Sequence, residues 1–319
     1  MVLDIQREIF AAENRIRSHI RETILDFSLP LSKMTNTNVY LKCENLQYTG
    51  SFKVRGAFNK LLSLTSDERQ QGVVTASTGN HGAAVAFGIY KLKMPGIVFV
   101  PENASTTKVD NIRNYNAKLE FFGADWLQTE THALNYAKQH NMIYVSPYND
   151  LNVIAGQGTV ALELIKQLNA IDVVLVPVGG GGLVAGIAAY LKSVSPKTQV
   201  IGCLPQNSPV MAESIKAGKI VDMETLPTLS DATAGGIEAG AITFDICKEF
   251  VDDYILVSEQ EIKNAIIAII KTQHLLIEGA AGVAVASLLK NAKQFQNKNV
   301  VIILSGANIS LETLKQVIA

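Results

Sequence analysis

The sequence predicts an α/β protein with two open, twisted, mostly parallel sheets covered by helices, arranged as a large and a small domain. Three observations carry that prediction. Short apolar runs alternate with helical patterns along most of the 319 residues, as βα units with parallel sheets require. The runs 173–178 and 300–304 are apolar throughout, which suits strands buried on both faces. Four small-residue loops, 49–56, 77–82, 179–182 and 305–308, each follow a strand-like run. In open α/β sheets such loops meet at the carboxyl ends of the strands, where ligands bind.

In chain order, Ile5, Ile9, Phe10, Ala12, Ile16 and Ile20 fall at helical spacing with charges between them, so residues 5–20 read as an amphipathic helix. A strand over 39–43 leads into the loop at 49–56, and a helix follows through Phe58, Leu61 and Leu62. Strand 73–76 precedes Ser77-Thr78-Gly79-Asn80-His81-Gly82 and an alanine-rich helix ending near Leu92. Strands over 97–100, 119–122 and 143–145 then alternate with helices over 105–115 and 130–139. These four strands and three helices make a compact parallel unit of roughly 75 residues. Trp126 and the pair Phe121–Phe122 read as core.

The second series runs through helix 155–168, strand 173–178, four glycines, helix 183–194 and strand 200–204. Residues 205–238 are rich in Gly, Pro and Ser and read as an irregular surface loop beside the site. Strand 254–257, helices 259–271 and 279–289, and strand 300–304 complete the chain.

Composition excludes several functions. Hydrophobic residues make up 48% and charged ones 18%, with a net charge of -1 and no long basic or acidic run. Neither a nucleic-acid footprint nor a polybasic membrane surface is expected. Cys43, Cys203 and Cys247 form no CxxC and read as reduced thiols. Asp4, Arg7, Glu8 and Glu13 interrupt the N-terminal apolar residues, unlike a signal peptide. No apolar run reaches transmembrane length. A soluble cytoplasmic protein is the expectation.

Within the loops, Lys53 stands between Phe52 and a small-residue turn. A lysine becomes a nucleophile or base when desolvation lowers its pKa. Gly179, Gly180, Gly181 and Gly182 follow a buried strand and open a helix, so their N–H groups and the helix dipole suit a phosphate. The run lacks both GxGxxG and the GK[ST] ending of a Walker A. The hydroxyls, the Asn80 amide and helix-terminal N–H groups of 77–82 suit a carboxylate, although Ser77 or Thr78 also suits a helix cap. His81 has no nucleophile to pair with and reads as loop-ordering. Ser305 reads either as a hydrogen-bond partner for a ring nitrogen or as a cap for the next helix. Glu278 reads either as an N-terminal helix charge or as a site carboxylate. No His/Cys/Asp/Glu cluster has metal-ligand spacing, so no zinc site is expected.

Taken together, these stretches resemble the fold-type II pyridoxal-phosphate enzymes, in their serine/threonine dehydratase and serine racemase branch. The matching text is Lys42-Cys43-Glu44-Asn45-Leu46-Gln47, the 49–56 loop, Ser77 to Gly82, Ile154 to Thr159, Val176 to Leu183, and Leu304 to Asn308. The resemblance implies the tryptophan synthase beta-like fold, with a large cofactor-binding domain of residues 1–71 and 150–319 and a small mobile domain of 72–149. It implies pyridoxal 5'-phosphate as cofactor, a small amino acid as substrate, and a homodimer. Lys53 would bond to the cofactor and later move the Cα proton, with Phe52 against the ring and Asn80 on the ring hydroxyl. Gly179 to Gly182, with Leu183, would hold the phosphate. Gly236 would approach the cofactor, and Ser305 would meet the pyridine nitrogen. Ser77, Thr78, Asn80 and His81 would hold the substrate carboxylate.

The implied reaction is ammonia-lyase (dehydratase) chemistry on threonine or serine, giving a 2-oxo acid and ammonia. Racemisation and hydroxyaspartate dehydration are the alternatives within the family, and a non-catalytic cofactor or amino-acid binder is the alternative outside it. Three departures bear on the choice. Thr78 stands where the racemases carry a serine as opposite-face acid/base, and Tyr148 where they carry an asparagine. The loop Leu204-Pro205-Gln206-Asn207-Ser208-Pro209-Val210 lacks the carboxylates of the racemases' divalent-cation site, so no metal is expected there. The sequence ends at Ala319 without the regulatory domain of biosynthetic threonine dehydratases, so isoleucine-type feedback is not expected.

Overall fold

The structure, a computed structural model, describes residues 2–104, 106–115 and 117–319. Helix α1 (Val2–Ile16) buries Ile5, Ile9, Ala12 and Ile16, the stripe its 3.6-residue repeat provides. Ile20 is buried beyond the helix end. Strand β1 (Leu25–Phe27) leads to helix α2 (Leu29–Thr35), which Ser28 caps by accepting the Leu31 N–H. Strand β2 (Asn38–Lys42) follows, then helix α3 (Lys53–Ser63) and helix α4 (Ser66–Gln71), the latter started by a Thr65–Glu68 capping box.

The next stretch is strand β3 (Val73–Ala76), helix α5 (Asn80–Leu92), strand β4 (Gly96–Val100) and helix α6 (Thr106–Arg113). Strand β5 (Lys118–Phe121), helix α7 (Trp126–Gln139) and strand β6 (Ile143–Tyr144) complete it. Its strands form a four-stranded, wholly parallel sheet in the order β5-β4-β3-β6.

Helix α8 (Leu151–Gln167), strand β7 (Val173–Pro177), helix α9 (Gly182–Val194), strand β8 (Gln199–Pro205) and helix α10 (Val210–Ala217) come next. They are followed by helix α11 (Ile242–Phe250), strand β9 (Asp253–Val257), helix α12 (Glu259–Gln273), helix α13 (Gly279–Lys290), strand β10 (Asn299–Ile303) and helix α14 (Leu311–Ile318). The second sheet has six strands in the order β1-β2-β10-β7-β8-β9, and only β1 pairs antiparallel.

The apolar strands serve two cores at once. Val174, Val176, Val301 and Ile303 pack with α1, α8, α9 and α11, whereas Val173, Leu175, Val300 and Ile302 pack with α12 and α13. Alternate side chains of a strand point to opposite faces, so only a continuously apolar strand can fill both.

Several elements depart from the sequence reading. Residues 205–238 contain α10. Helix α7 begins at Trp126 rather than at 130, because Asp125 caps it by accepting the Gln128 N–H at 2.9 Å. That start turns Trp126 outward at 44% exposure, with Phe121 at 45% and Phe122 at 41%, so none of the three is core. The strand β1 and the helices α2, α4, α11 and α14 were not anticipated. They are short, and caps such as Ser28, Thr65 and Ser310 set three of these helices where the apolar repeat is brief. Ser105, the expected first residue of the 105–115 helix, lies outside the described residues, as does Met1.

Candidate active site

The loop from β2 to α3 turns sharply at Thr49 (φ 62°) and Gly50 (φ 71°), left-handed backbone that favours glycine. It is then fastened to the exit of β10. Ser51 bridges Gly306, the Phe52 N–H donates to the Ser305 carbonyl at 3.1 Å, and the Ala307 N–H donates to the Gly50 carbonyl at 2.9 Å. Loops 250 positions apart in sequence (roughly, by numbering) are thereby made neighbours.

Lys53 is the first residue of α3, and its Nζ donates to the Pro147 carbonyl at 2.8 Å. The amine lies 5.4 Å from the Phe52 ring centroid. Burial lowers its pKa to about 8, partly opposed by Glu278. Although the residue as a whole is only partly buried, the packing around the amine removes its water. A large share of Lys53 is therefore neutral under mildly alkaline conditions.

Two side chains interact electrostatically with this amine, His81 and Glu278, and Asn80 holds the second of them. His81 is buried and shares a 3.0 Å hydrogen bond with the Val145 carbonyl through Nε2. Burial, with Lys53 nearby, lowers its pKa to about 3, so the ring is neutral and orders the loop. Asn80 donates through Nδ2 to both Glu278 oxygens, at 2.9 and 3.0 Å, and accepts from Asn308 Nδ2 at 2.6 Å. Glu278 is only 2% exposed, and burial pushes its carboxyl up to about 7 despite those bonds and the Asn308 N–H. It therefore reaches the site and does more than charge the start of α13. A cleft of about 830 Å³ opens alongside, and Thr78, Asp231, Glu278 and Asn308 are among the residues that line it.

Gly181, in left-handed backbone (φ 89°), caps α9, and a Cβ there would sit 2.8 Å from Met211 Cε. On Gly179 it would meet Thr233, and on Gly180 it would overlap the Tyr148 ring. The N–H groups of the first turn of α9 have no intrahelical partner and carry the positive end of the dipole. Ser305, 1% exposed, keeps an Oγ with no hydrogen-bond partner among the described residues, and Ser310 rather than Ser305 caps α14. Neither Ser77 nor Thr78 caps α5; its cap is Gly79, and Ser77 Oγ accepts the Gly79 N–H at 3.2 Å. Gly236 lies in an exposed loop two residues before Glu238, whose N–H donates to Tyr148 Oη at 2.9 Å.

Residues 16–306 match the sequence profile of the family described as pyridoxal-phosphate dependent enzyme. The chain belongs to that family. It is 40% identical over 312 residues to the L-threonine dehydratase catabolic TdcB of Escherichia coli strain K12, covering 97% of this chain and 94% of that protein. To the L-threonine ammonia-lyase of Thermotoga maritima it is 38% identical over 311 residues, covering 98% and 77%. Among solved structures it is similar to threonine deaminase isoform 2 from Solanum lycopersicum, with a TM-score of 0.95, 32% identity and 99% and 92% coverage. Maize serine racemase gives a TM-score of 0.93 at 30% identity, with 98% and 96% coverage.

The residues present fit the pyridoxal-phosphate family's cofactor. A buried amine of lowered pKa, a glycine cradle at a helix N-terminus and an orphaned buried hydroxyl are the groups an aldehyde, a phosphate and a ring nitrogen call for. The sequence leaves Glu278 undecided, marks the loop of Asn308 without a role for that residue, and gives no sign of Pro147. Glu278 carries a signal, a carboxylate just before a small-residue helix. A carbonyl such as that of Pro147 carries none.

Proposed function

We propose that this chain is an ammonia-lyase converting a small L-β-hydroxy-amino acid, threonine or serine first, to a 2-oxo acid and ammonia. The observation that carries the reading is the desolvated Lys53 amine, lowered to about 8 and hydrogen-bonded to the Pro147 carbonyl. A protein that merely bound the cofactor would gain nothing from a base so poised. The names of the relatives at 38–40% identity support the substrate class.

Pyridoxal phosphate, when bound, supplies the sink for the electrons released at the substrate Cα. In this reading Gly179, Gly180, Gly181, Gly182 and Leu183 hold its phosphate through backbone N–H groups, and Phe52 and Gly236 flank its ring. Ser305 Oγ, buried without a hydrogen-bond partner among the described residues, would serve the ring nitrogen, and a hydroxyl in place of a carboxylate there would suit loss of a β-leaving group. Ser77, Thr78, Asn80 and the first turn of α5 hold the substrate carboxylate, with His81 fixing that loop through Val145. Lys53 Nζ takes the Cα proton, its neutral form being favoured by desolvation. Thr78 offers a hydroxyl on the cleft side, but its methyl group weighs against racemisation. Residues 72–149 act as the small mobile domain that closes on the large one, 1–71 and 150–319, and Asn80–Glu278 joins them. The protein works as a cytoplasmic homodimer.

The test is 2-oxo-acid release by the cofactor-loaded protein given L-threonine, L-serine and threo-3-hydroxyaspartate, with chirality of the remaining substrate followed in parallel. Turnover of threonine or serine is expected. Inversion without 2-oxo acid, or silence on both hydroxy-amino acids, would overturn the reading.

A further inference from the structure

The turn between β6 and α8 holds more of the site than Pro147. Tyr148 lays its ring against the glycine loop: a Cβ on Gly180 would overlap it, and one on Gly182 would lie 3.1 Å from Tyr148 Cβ. Its hydroxyl accepts the Glu238 N–H at 2.9 Å, and the adjacent Asn149 Oδ1 accepts the Ile242 N–H at 2.9 Å. From the other side, Thr243 Oγ1 donates to the Gly180 carbonyl at 2.7 Å. Residues 238–243 are thus tied at two points to this turn and at one to the glycine loop.

The turn itself is rigid. Ser146 Oγ accepts the Asn149 N–H at 3.0 Å, and Asp150 caps α8 while pairing with Lys60 at 2.6 Å. Burial pushes the Tyr148 phenol up to about 12, so it stays a neutral hydroxyl at working pH.

We propose that Tyr148 is a positioning residue for the cofactor's phosphate: its ring shapes the glycine cradle and its hydroxyl locks the 238–243 segment against it. Because Pro147 of the same turn holds Lys53, one rigid turn sets both the covalent and the anionic anchor of the cofactor. This inference rests on the reading of Gly179–Gly182 as the phosphate site.

The experiment titrates the full-length, cofactor-stripped protein with pyridoxal 5'-phosphate, with pyridoxal, and with inorganic phosphate as competitor. Wild type, Tyr148→Phe and Thr243→Val are compared, with amide exchange at 236–242 measured in each. Wild type should prefer the phosphorylated form strongly, and phosphate should compete. Loss of one buried hydrogen bond in Tyr148→Phe should weaken pyridoxal-phosphate binding roughly 3- to 10-fold. It should leave pyridoxal binding unchanged and speed exchange at Glu238. Thr243→Val, which cuts the tie from the other side, should show the same phosphate-specific loss. Equal losses for pyridoxal and its phosphate, or affinities in both variants equal to wild type, would overturn the role of Tyr148 alone. A wild type indifferent to the phosphate group would overturn the cradle and this inference with it.

Discussion

Two buried polar clusters flank the first turn of α3, and they are built on opposite plans. Around Arg55 every charge is met. Arg55 donates to Glu44 at 2.7 Å through two nitrogens, to Glu163 at 2.8 and 2.9 Å, and to Thr159 at 3.1 Å. Lys42 adds bonds to Glu163, the Thr23 carbonyl and Gln167 at 2.5–2.9 Å. Burial alone would push the Glu163 carboxyl up, but Arg55 and Lys42 outweigh it and hold it below the usual range. Two residues earlier, around Lys53, the plan is left open. Ser51 Oγ, Ser305 Oγ, Thr49 Oγ1 and His81 Nδ1 have no hydrogen-bond partner among the described residues, and both Lys53 and Glu278 shift toward their neutral forms. An unmade buried hydrogen bond is costly, so a site carries several only where something else is to fill them. The closed cluster fixes the helix; the open one is kept for a ligand.

The largest expected effect comes from breaking the closed cluster. Arg55→Met strands Glu44 and Glu163 without their main partner and should cost about 3–5 kcal/mol in urea unfolding. A loss below about 1 kcal/mol would mean the network is ornamental.

Changing the open cluster should act mainly through pH. Glu278 binds its proton more tightly folded (about 7) than in its ordinary state (4.5). Its contribution is therefore full below pH 4.5 and is lost as pH rises through 7. Glu278→Gln should remove that decline, a difference of at most roughly 3 kcal/mol between the two ends. Parallel stability–pH curves for the two proteins would contradict the burial of this carboxyl. The smallest stability effect belongs to Ser305→Ala, which deletes an unpartnered hydroxyl. The cofactor-free variant should unfold within about 1 kcal/mol of wild type, or slightly above it, while turnover with cofactor falls. Equal turnover would show that Ser305 does not meet the ring.

Much of this contrast was legible in the sequence, for physical reasons. Continuous apolarity at 173–178 and 300–304 marks strands with two cores, and four glycines mark a loop closed in by Thr233, Tyr148 and Met211. Periodicity could not find α4 or α14, whose starts rest on Thr65 and Ser310 caps. It misplaced Trp126 because a bulky apolar residue at a helix start looks like core until the Asp125 cap turns it outward. The partner of Lys53 was hidden because it is a carbonyl, identical in every residue. Glu278 was ambiguous because its reach depends on the approach of Gly306, where a Cβ would overlap the carboxylate.

The most direct test of the account is the pH dependence of Lys53 labelling by an amine-reactive reagent in cofactor-free protein, resolved by mass spectrometry. The midpoint should fall near 8, with the reaction rising as pH passes through it, and should be lower in Glu278→Gln because an opposing charge is gone. A midpoint at the ordinary 10.5, unmoved by that substitution, would contradict it.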